Sequence, residues 1–440
     1  MAVFGFNLTV SIVGLFFLRK LIPAFDFPSK LLTGFYRFYA PSENDCRQAA
    51  QLKPKTVKAS KKNQNVQSKE FVIPKDAEVP LYFAQVKADD WSFLHFYPEF
   101  CWLVEFSITT LFVLAVTEAV PSDFKWRGDS VPDELNLSVI WIILACLFCS
   151  INLARLSSKL IRSTGERSLL VMFGTFTFVS SLSALTLSSE WIELGFQELV
   201  SNLERMSKLG LTLVICLFSA FFGSVFSFCG FRVAQMNRDA AENEKGIKKM
   251  LVHGSFFCGL LIPITFFPKL FRLRLQEPSN LENFEWLPGG FDDVLIDRIQ
   301  LAIIICSSAW KLFMWRTHIQ AYLAIAKTRV ERARKMKKNY TQQEMSKNVT
   351  LIWYYTLVTT LQYILPTVLL MFLALLYKSA SGMTWYGPQT KPWSNPSGLD
   401  KLPEGTFVVA IKYLLWLVSN AQALSMIGGY IFHSVIDTDL

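Results

Sequence analysis

Four charged residues, Glu105, Glu118, Lys311 and Lys412, each fall inside a run of apolar residues. An ionised group among hydrocarbon persists where it pairs, snorkels to an interface or serves an ion or proton path. Two chemistries are therefore open, structural ion pairing and conduction. Uncharged polar residues gather in the same stretches: Thr359 and Gln362 precede Pro366, and Asn420 and Gln422 follow Ser419. Such groups hydrogen-bond between helices, and a proline leaves a backbone carbonyl in need of another donor. They read either as packing contacts or as the lining of a polar groove.

Other sets reach less far. Cys146 and Cys149 form a CxxC, but Leu147 and Phe148 stand between them in an apolar run, where thiols stay protonated and serve packing rather than redox or metal chemistry. His95, His253, His318 and His433 are scattered without metal-ligand spacing, so no metal site and no cofactor is expected. No histidine, carboxylate or nucleophile cluster is placed at a bilayer face, which argues against an enzyme. The chain ends with Thr438 and Leu440 in the threonine-x-hydrophobic pattern of a PDZ ligand, which binds as an added strand with its carboxylate captured.

The elements that must carry these residues are helices in lipid. Of 440 residues, 52% are hydrophobic and 18% charged, against about a quarter charged in soluble domains. With 38 Phe and 12 Trp there is more apolar surface than one soluble core can bury. The net charge of +9 comes from Lys and Arg in the connections between apolar runs, which points to an anionic membrane surface and not to nucleic acid. Of eight cysteines only Cys46 lies in a long polar loop, so no disulfide framework is built.

A bilayer core about 30 Å thick needs roughly 20 helical residues to cross it. Nine runs approach or reach that length: 3–18, 100–120, 137–156, 169–187, 209–228, 251–267, 299–315, 351–377 and 407–432. The expected fold is all-α and polytopic, with about nine transmembrane helices, or eight if the first run is a cleaved signal peptide. Arg19 and Lys20 follow that run and no basic residue precedes it, the pattern of a segment inserted N-terminus first. Alternate connections differ in Lys and Arg content by roughly three to one, which places the N-terminus outside and the C-terminus inside. On this topology Glu105 and Lys311 lie at similar depth near the inner face and are expected to pair, while Glu118 and Lys412 lie near the outer face.

The chain then divides into a first helix or signal anchor (1–18), a basic, partly disordered cytoplasmic loop (19–99), helices two to four (100–187), an amphipathic outer-face segment (188–208), helices five to seven (209–315), a basic cytoplasmic helix and loop (316–349), helices eight and nine (350–432) and a tail (433–440). In the outer segment Ile192, Phe196, Leu199, Leu203 and Met206 recur at helical spacing. The 316–349 stretch carries Lys327, Arg329, Arg332, Arg334 and Lys335 beside an apolar stripe, so anionic inner-leaflet lipids are its expected partners. Sequons occur at Asn7, Asn136, Asn339 and Asn348, of which the expected topology leaves Asn136 the one glycosylation candidate, pressed against a span.

Several blocks resemble the transmembrane protein 161 family: MAVFG at Met1–Gly5, LHFYPEFCWLVEF at Leu94–Phe106, GERS at Gly165–Ser168, FRVAQMNRDA at Phe231–Ala240, HIQAYLAIAKTRVER at His318–Arg332 and LQYILP at Leu361–Pro366. They run in order over nearly the whole chain, and the two long polar blocks are the specific ones. The family tends to have Pro where Cys229 stands, and its last luminal loop is usually longer than the one from Lys378 to Gly405. The resemblance implies a multi-pass membrane protein without established catalysis, linked to ionic currents, membrane excitability and cardiac rhythm, and in one branch to oxidative-stress protection. Two roles remain open at this point, a regulator that contacts a channel or transporter partner and an ion or small-solute transporter that uses the polar groove. The choice between plasma membrane and endomembrane is also open.

Overall fold

The computed structural model describes residues 6–49, 72–73, 81–119, 137–160, 164–187, 191–197, 205–272, 293–336, 340–385 and 405–438. Its helices are α1 (Phe6–Phe16), α2 (Glu43–Ala49), α3 (Tyr97–Ala119), α4 (Leu137–Leu160), α5 (Thr164–Thr186), α6 (Arg205–Asn243), α7 (Ile247–Leu261), α8 (Asp293–Phe313), α9 (Trp315–Met336), α10 (Gln342–Tyr354), α11 (Thr356–Ala380) and α12 (Thr406–Thr438). Strands β1 (Tyr36–Tyr39) and β3 (Tyr82–Gln85) pair antiparallel, as do β2 (Val72–Ile73) and β4 (Tyr340–Thr341). The protein is an all-α polytopic membrane protein, and among the described residues seven helical segments are long and apolar enough to cross a bilayer.

At the centre is α11, in which every residue from Thr356 to Lys378 is buried. Its sequence is apolar on all sides rather than on one stripe, which is the pattern of a helix enclosed by other helices. The threonine hydroxyls are satisfied within the helix: Thr356 Oγ1 donates to Ile352 O at 3.0 Å and Thr360 Oγ1 to Thr356 O at 2.8 Å. Helices α4, α6, α8, α9 and α12 pack around it. On the lipid side, α5 and α6 expose Val171, Phe176, Val179, Leu213, Val214 and Phe221.

The seventh run forms α8, which carries Asp297, Arg298 and Lys311 and so reads as less apolar than its neighbours. It nevertheless traverses the bundle. Lys311 lies beside Met426 and Tyr363 at one level, and Asp297 joins the charge network of Lys412 at the other, where Tyr377 and Lys412 line one cavity. On all three helices these residues are fourteen apart, about 21 Å at 1.5 Å per residue.

Four sequence expectations change in detail. The first run continues past α1 through a π-helical turn, Phe17–Leu21, and a short helix, Ile22–Phe25, and it packs on α3, where Phe17 stacks on Phe112 at 4.7 Å. The 188–208 segment is irregular over Trp191–Gly195, where Ile192, Leu194 and Phe196 are buried in alternation, while Leu199 and Leu203 of the expected stripe lie outside the described residues. The physical reason is that Gly195, at φ +73°, turns the chain into the mouth of the bundle. The eighth run is two helices broken at Tyr355, and α10 starts with a capping box in which Thr341 Oγ1 accepts from Glu344 N at 3.3 Å. Within the stretch read as disordered, Glu43–Ala49 is helical; most of the remainder, and Asn136, lie outside the described residues.

Small residues set how closely the helices approach. A Cβ at Gly223 of α6 would meet Thr177 Oγ1 of α5 at 1.9 Å, and one at Gly230 would meet Ser425 Oγ of α12 at 1.9 Å. Gly210, earlier on α6, has open space around it. Gly223→Val is therefore expected to destabilise the detergent-solubilised protein by about 1–3 kcal/mol through overpacking. Gly210→Ala should leave its thermal unfolding unchanged or raise it slightly, as fluorescence-monitored melts would read.

Candidate functional site

The charges inside the bundle resolve into pairs that depth alone did not identify. Glu118 of α3 forms an ion pair with Lys378 of α11. Lys412 of α12 reaches Glu193 at 3.4 Å, Glu193 accepts from Arg272 at 2.9 Å, and Arg272 also holds Asp297 at 2.6 Å and Asp293 at 3.8 Å. This end of the bundle is thus clamped by one chain of charges drawn from the 191–197 segment, the stretch after α7, and the starts of α8 and α12. A cavity of about 230 Å³ lies against it, lined by Glu193, Lys412, Tyr377 and Gln197. Sequence reasoning missed Glu193, Arg272, Asp297 and Lys378 because each sits at the end of an apolar run or in a connection, where charge is unremarkable.

Glu105 and Lys311 do not pair. Glu105 lies on α3, which packs on α1 and α4, whereas α8 packs on α7 and α11. Equal depth fixes height, not angle. Glu105 has no ion-pair partner among the described residues, and burial and nearby Asp26 are the features of its surroundings.

Lys311 is the unusual charge, with only 4% of its surface exposed. Its Nζ lies 3.9 Å from Met426 Sδ and 5.6 Å from the centre of the Tyr363 ring, and no carboxylate is within ion-pair distance among the described residues. Tyr363 donates its hydroxyl to the Lys311 carbonyl at 2.8 Å. His318 Nδ1 sits 2.8 Å from Met314 O and 3.4 Å from Tyr363 Oη; because a carbonyl only accepts, Nδ1 carries the proton. These bonds fasten the junction of α8 and α9 at Met314 to the central helix.

The polar candidates distribute unevenly around this point. Thr359, Gln362 and Pro366 are all buried on α11. Gln422 is buried on α12, and Ser308 on α8 precedes Lys311 by about one turn. Ser308 Oγ, Gln362 Oε1 and Gln422 Nε2 are buried without hydrogen-bond partners. Asn420 turns elsewhere, donating to Ser180 Oγ of α5 at 2.7 Å. Ser308, Gln362 and Gln422 thus lie on α8, α11 and α12, of which α8 and α12 both pack on α11, while Glu105 of α3 is paired with none of them. Cys146 and Cys149 are both buried free thiols in α4.

Below the bundle, α9 buries Ile319, Tyr322, Leu323, Ala326 and Val330 and leaves Lys327, Arg329 and Arg332 exposed. Gln320 of α9 caps the free edge of β1, accepting from Tyr36 N and donating to Tyr36 O, each at 3.0 Å. Arg37 lies between Tyr39 and Trp353, 4.1 and 4.2 Å from their ring centres, and pairs with Asp90 at 3.7 Å. Helix α12 runs to Thr438, although a PDZ ligand must be extended; the Thr438 side chain and Leu440 lie outside the described residues.

A double-mutant cycle with Glu118→Gln and Lys378→Gln should show a coupling of about 1 kcal/mol in thermal or denaturant unfolding, modest because Glu118 is partly exposed. The corresponding cycle for Glu105→Gln and Lys311→Met should show none. Coupling in the second cycle and additivity in the first would refute this arrangement of the helices.

No solved structure matches the chain. The family model described as predicted transmembrane protein 161AB matches residues 2–405, nearly the whole chain, and the protein therefore belongs to that family of multi-pass membrane proteins.

Proposed function

We propose that this protein regulates ionic currents, and with them membrane excitability, without catalysing a reaction or conducting ions itself. The observation that carries this reading is the enclosure of α11: the central helix is covered along its length, and at the outer mouth the charges of four segments close on one another. Such a bundle suits a rigid body that works through its outside. Its broad apolar faces on α5 and α6 offer lateral contact to a channel or transporter, and the basic surface of α9 offers contact to anionic inner-leaflet lipids. Roles in cardiac rhythm or, in one branch, in oxidative-stress protection are what the family resemblance adds.

A second reading, transport of an ion or small solute, is favoured by the buried amine of Lys311 and by the unpartnered polar atoms of Ser308, Gln362 and Gln422. Purified protein in liposomes separates the two. The regulator is expected to be silent in flux assays, yet to change whole-cell currents when it is supplied to cells that lack it. Ion flux above background that disappears with Lys311→Met would establish transport instead.

A further inference from the structure

The cavity of about 230 Å³ beside the charge chain has two unlike walls. One is helical, with Ala184 of α5, Tyr377 of α11, and Val408, Val409 and Lys412 of α12. The other is the 191–197 segment, which gives every residue from Ile192 to Gln197 to the lining. Ile192, Leu194 and Phe196 are buried, and a Cβ on Gly195 would come within 3.2 Å of Val409 Cγ2. The segment therefore lies down on α12 as a cover.

What holds it there is sparse. Among the described residues one backbone hydrogen bond joins the segment to another element, Glu193 N donating to Phe266 O at 3.2 Å. Gln197 ties one end to the end of α5, donating to Thr186 O at 3.3 Å and to Leu187 O. At the other end Lys269 Nζ stands 4.1 Å from the centre of the exposed Trp191 ring. Glu193 is the one charged residue between Trp191 and Gln197, and its Oε1 takes both cations, Arg272 Nη1 at 2.9 Å and Lys412 Nζ at 3.4 Å. Because Lys412 belongs to the opposite wall, this carboxylate bridges cover and floor. Arg272 carries the link on to Asp297 of α8.

We propose that the 191–197 segment is a lid over this cavity, latched shut by Glu193. A segment with few backbone bonds opens locally at small free-energy cost, and charge-assisted contacts then decide how often it does. Opening brings Lys412 and Tyr377 into contact with bulk water. The lid is independent of whether the protein regulates or transports, and of which side of the membrane this end faces.

The test places a cysteine under the lid, Ala184→Cys, and follows its reaction with a charged, water-soluble methanethiosulfonate in full-length, detergent-solubilised protein. Ala184 is 4% exposed and lines the cavity. Peptide mass spectrometry reads each site separately, with the buried Cys149 as the control for general unfolding and Lys248→Cys, at the exposed start of α7, as the open reference. When closing is fast, the labelling rate follows the open population. Ala184→Cys is expected to react far more slowly than Lys248→Cys, and Glu193→Gln to speed it about tenfold, through loss of charge-assisted bonds, with Cys149 unchanged. Lys412→Met should speed it as well, and less than additively with Glu193→Gln, because the two residues share the latch. Raising salt from about 0.1 M to about 1 M shortens the Debye length from roughly 10 Å to about 3 Å, and should speed labelling severalfold unless Glu193 is already Gln. Thermal melts confirm that each variant is folded, and the salt series, which needs no change at Glu193, decides the matter if that variant is not. Labelling of Ala184→Cys as fast as Lys248→Cys would show that nothing covers the cavity. A rate that neither Glu193→Gln nor salt alters would show a segment held by apolar packing alone. Matching acceleration at Cys149 would mean loosening of the whole bundle. Each of these three results overturns the latch.

Discussion

The enclosure of α11 is the constraint to which the other helices answer. In a helix without a lipid-facing or water-facing side, a polar group can be satisfied only from within or from its neighbours, because nothing outside the protein reaches it, and Gln362 Oε1 is left without a partner. Its threonines meet this by bonding back to the preceding turn, and Pro366, which lacks an N–H, is accommodated inside a helix that neighbours cover on all sides. Covering it takes α4, α6, α8, α9 and α12 together. Helix α5 stands outside this set, on α6, with apolar residues left to the lipid.

Enclosure also explains how α8 can be a crossing helix and yet carry charge. Its ionised residues do not meet lipid: Asp297 enters the clamp of Arg272, and Lys311 is turned toward α11 and α12. The two levels, about 21 Å apart by helix rise, differ in kind. The outer one is a shared network in which each charge has an opposite neighbour, so the outer mouth is held by Coulombic attraction partly screened by water. The inner one encloses an amine among a thioether, an aromatic ring and hydrogen-bonded side chains, where stabilisation comes from dipoles and polarisable atoms.

From the level of Lys311 the structure passes without interruption into the layer formed by α9, α10 and the β1–β3 pair. Tyr363 and His318 fasten the junction at Met314, α9 follows α8 there, and the Gln320 side chain ties β1 to α9 by two hydrogen bonds to the Tyr36 backbone. Through Arg37 and Trp353 the same layer reaches α10, which leads into α11.

The amino-acid sequence alone determined the class of the protein. Runs of apolar residues of bilayer length, and Lys and Arg weighted to alternate connections, report on transfer from water to lipid, a property of each segment by itself. It also located α9 and its buried stripe, since helical periodicity is local. What it left undecided was angular: which face of each helix meets which neighbour. Glu105 and Lys311 match in depth but stand on helices that do not adjoin, while Glu118 found Lys378 and Lys412 found Glu193. The buckled 191–197 segment and the break at Tyr355 likewise depend on neighbours that apolar periodicity cannot see. Hydropathy measures how deep a residue lies, whereas helix rotation and partner choice follow from close packing among segments far apart in the chain, and only the tertiary structure decides those.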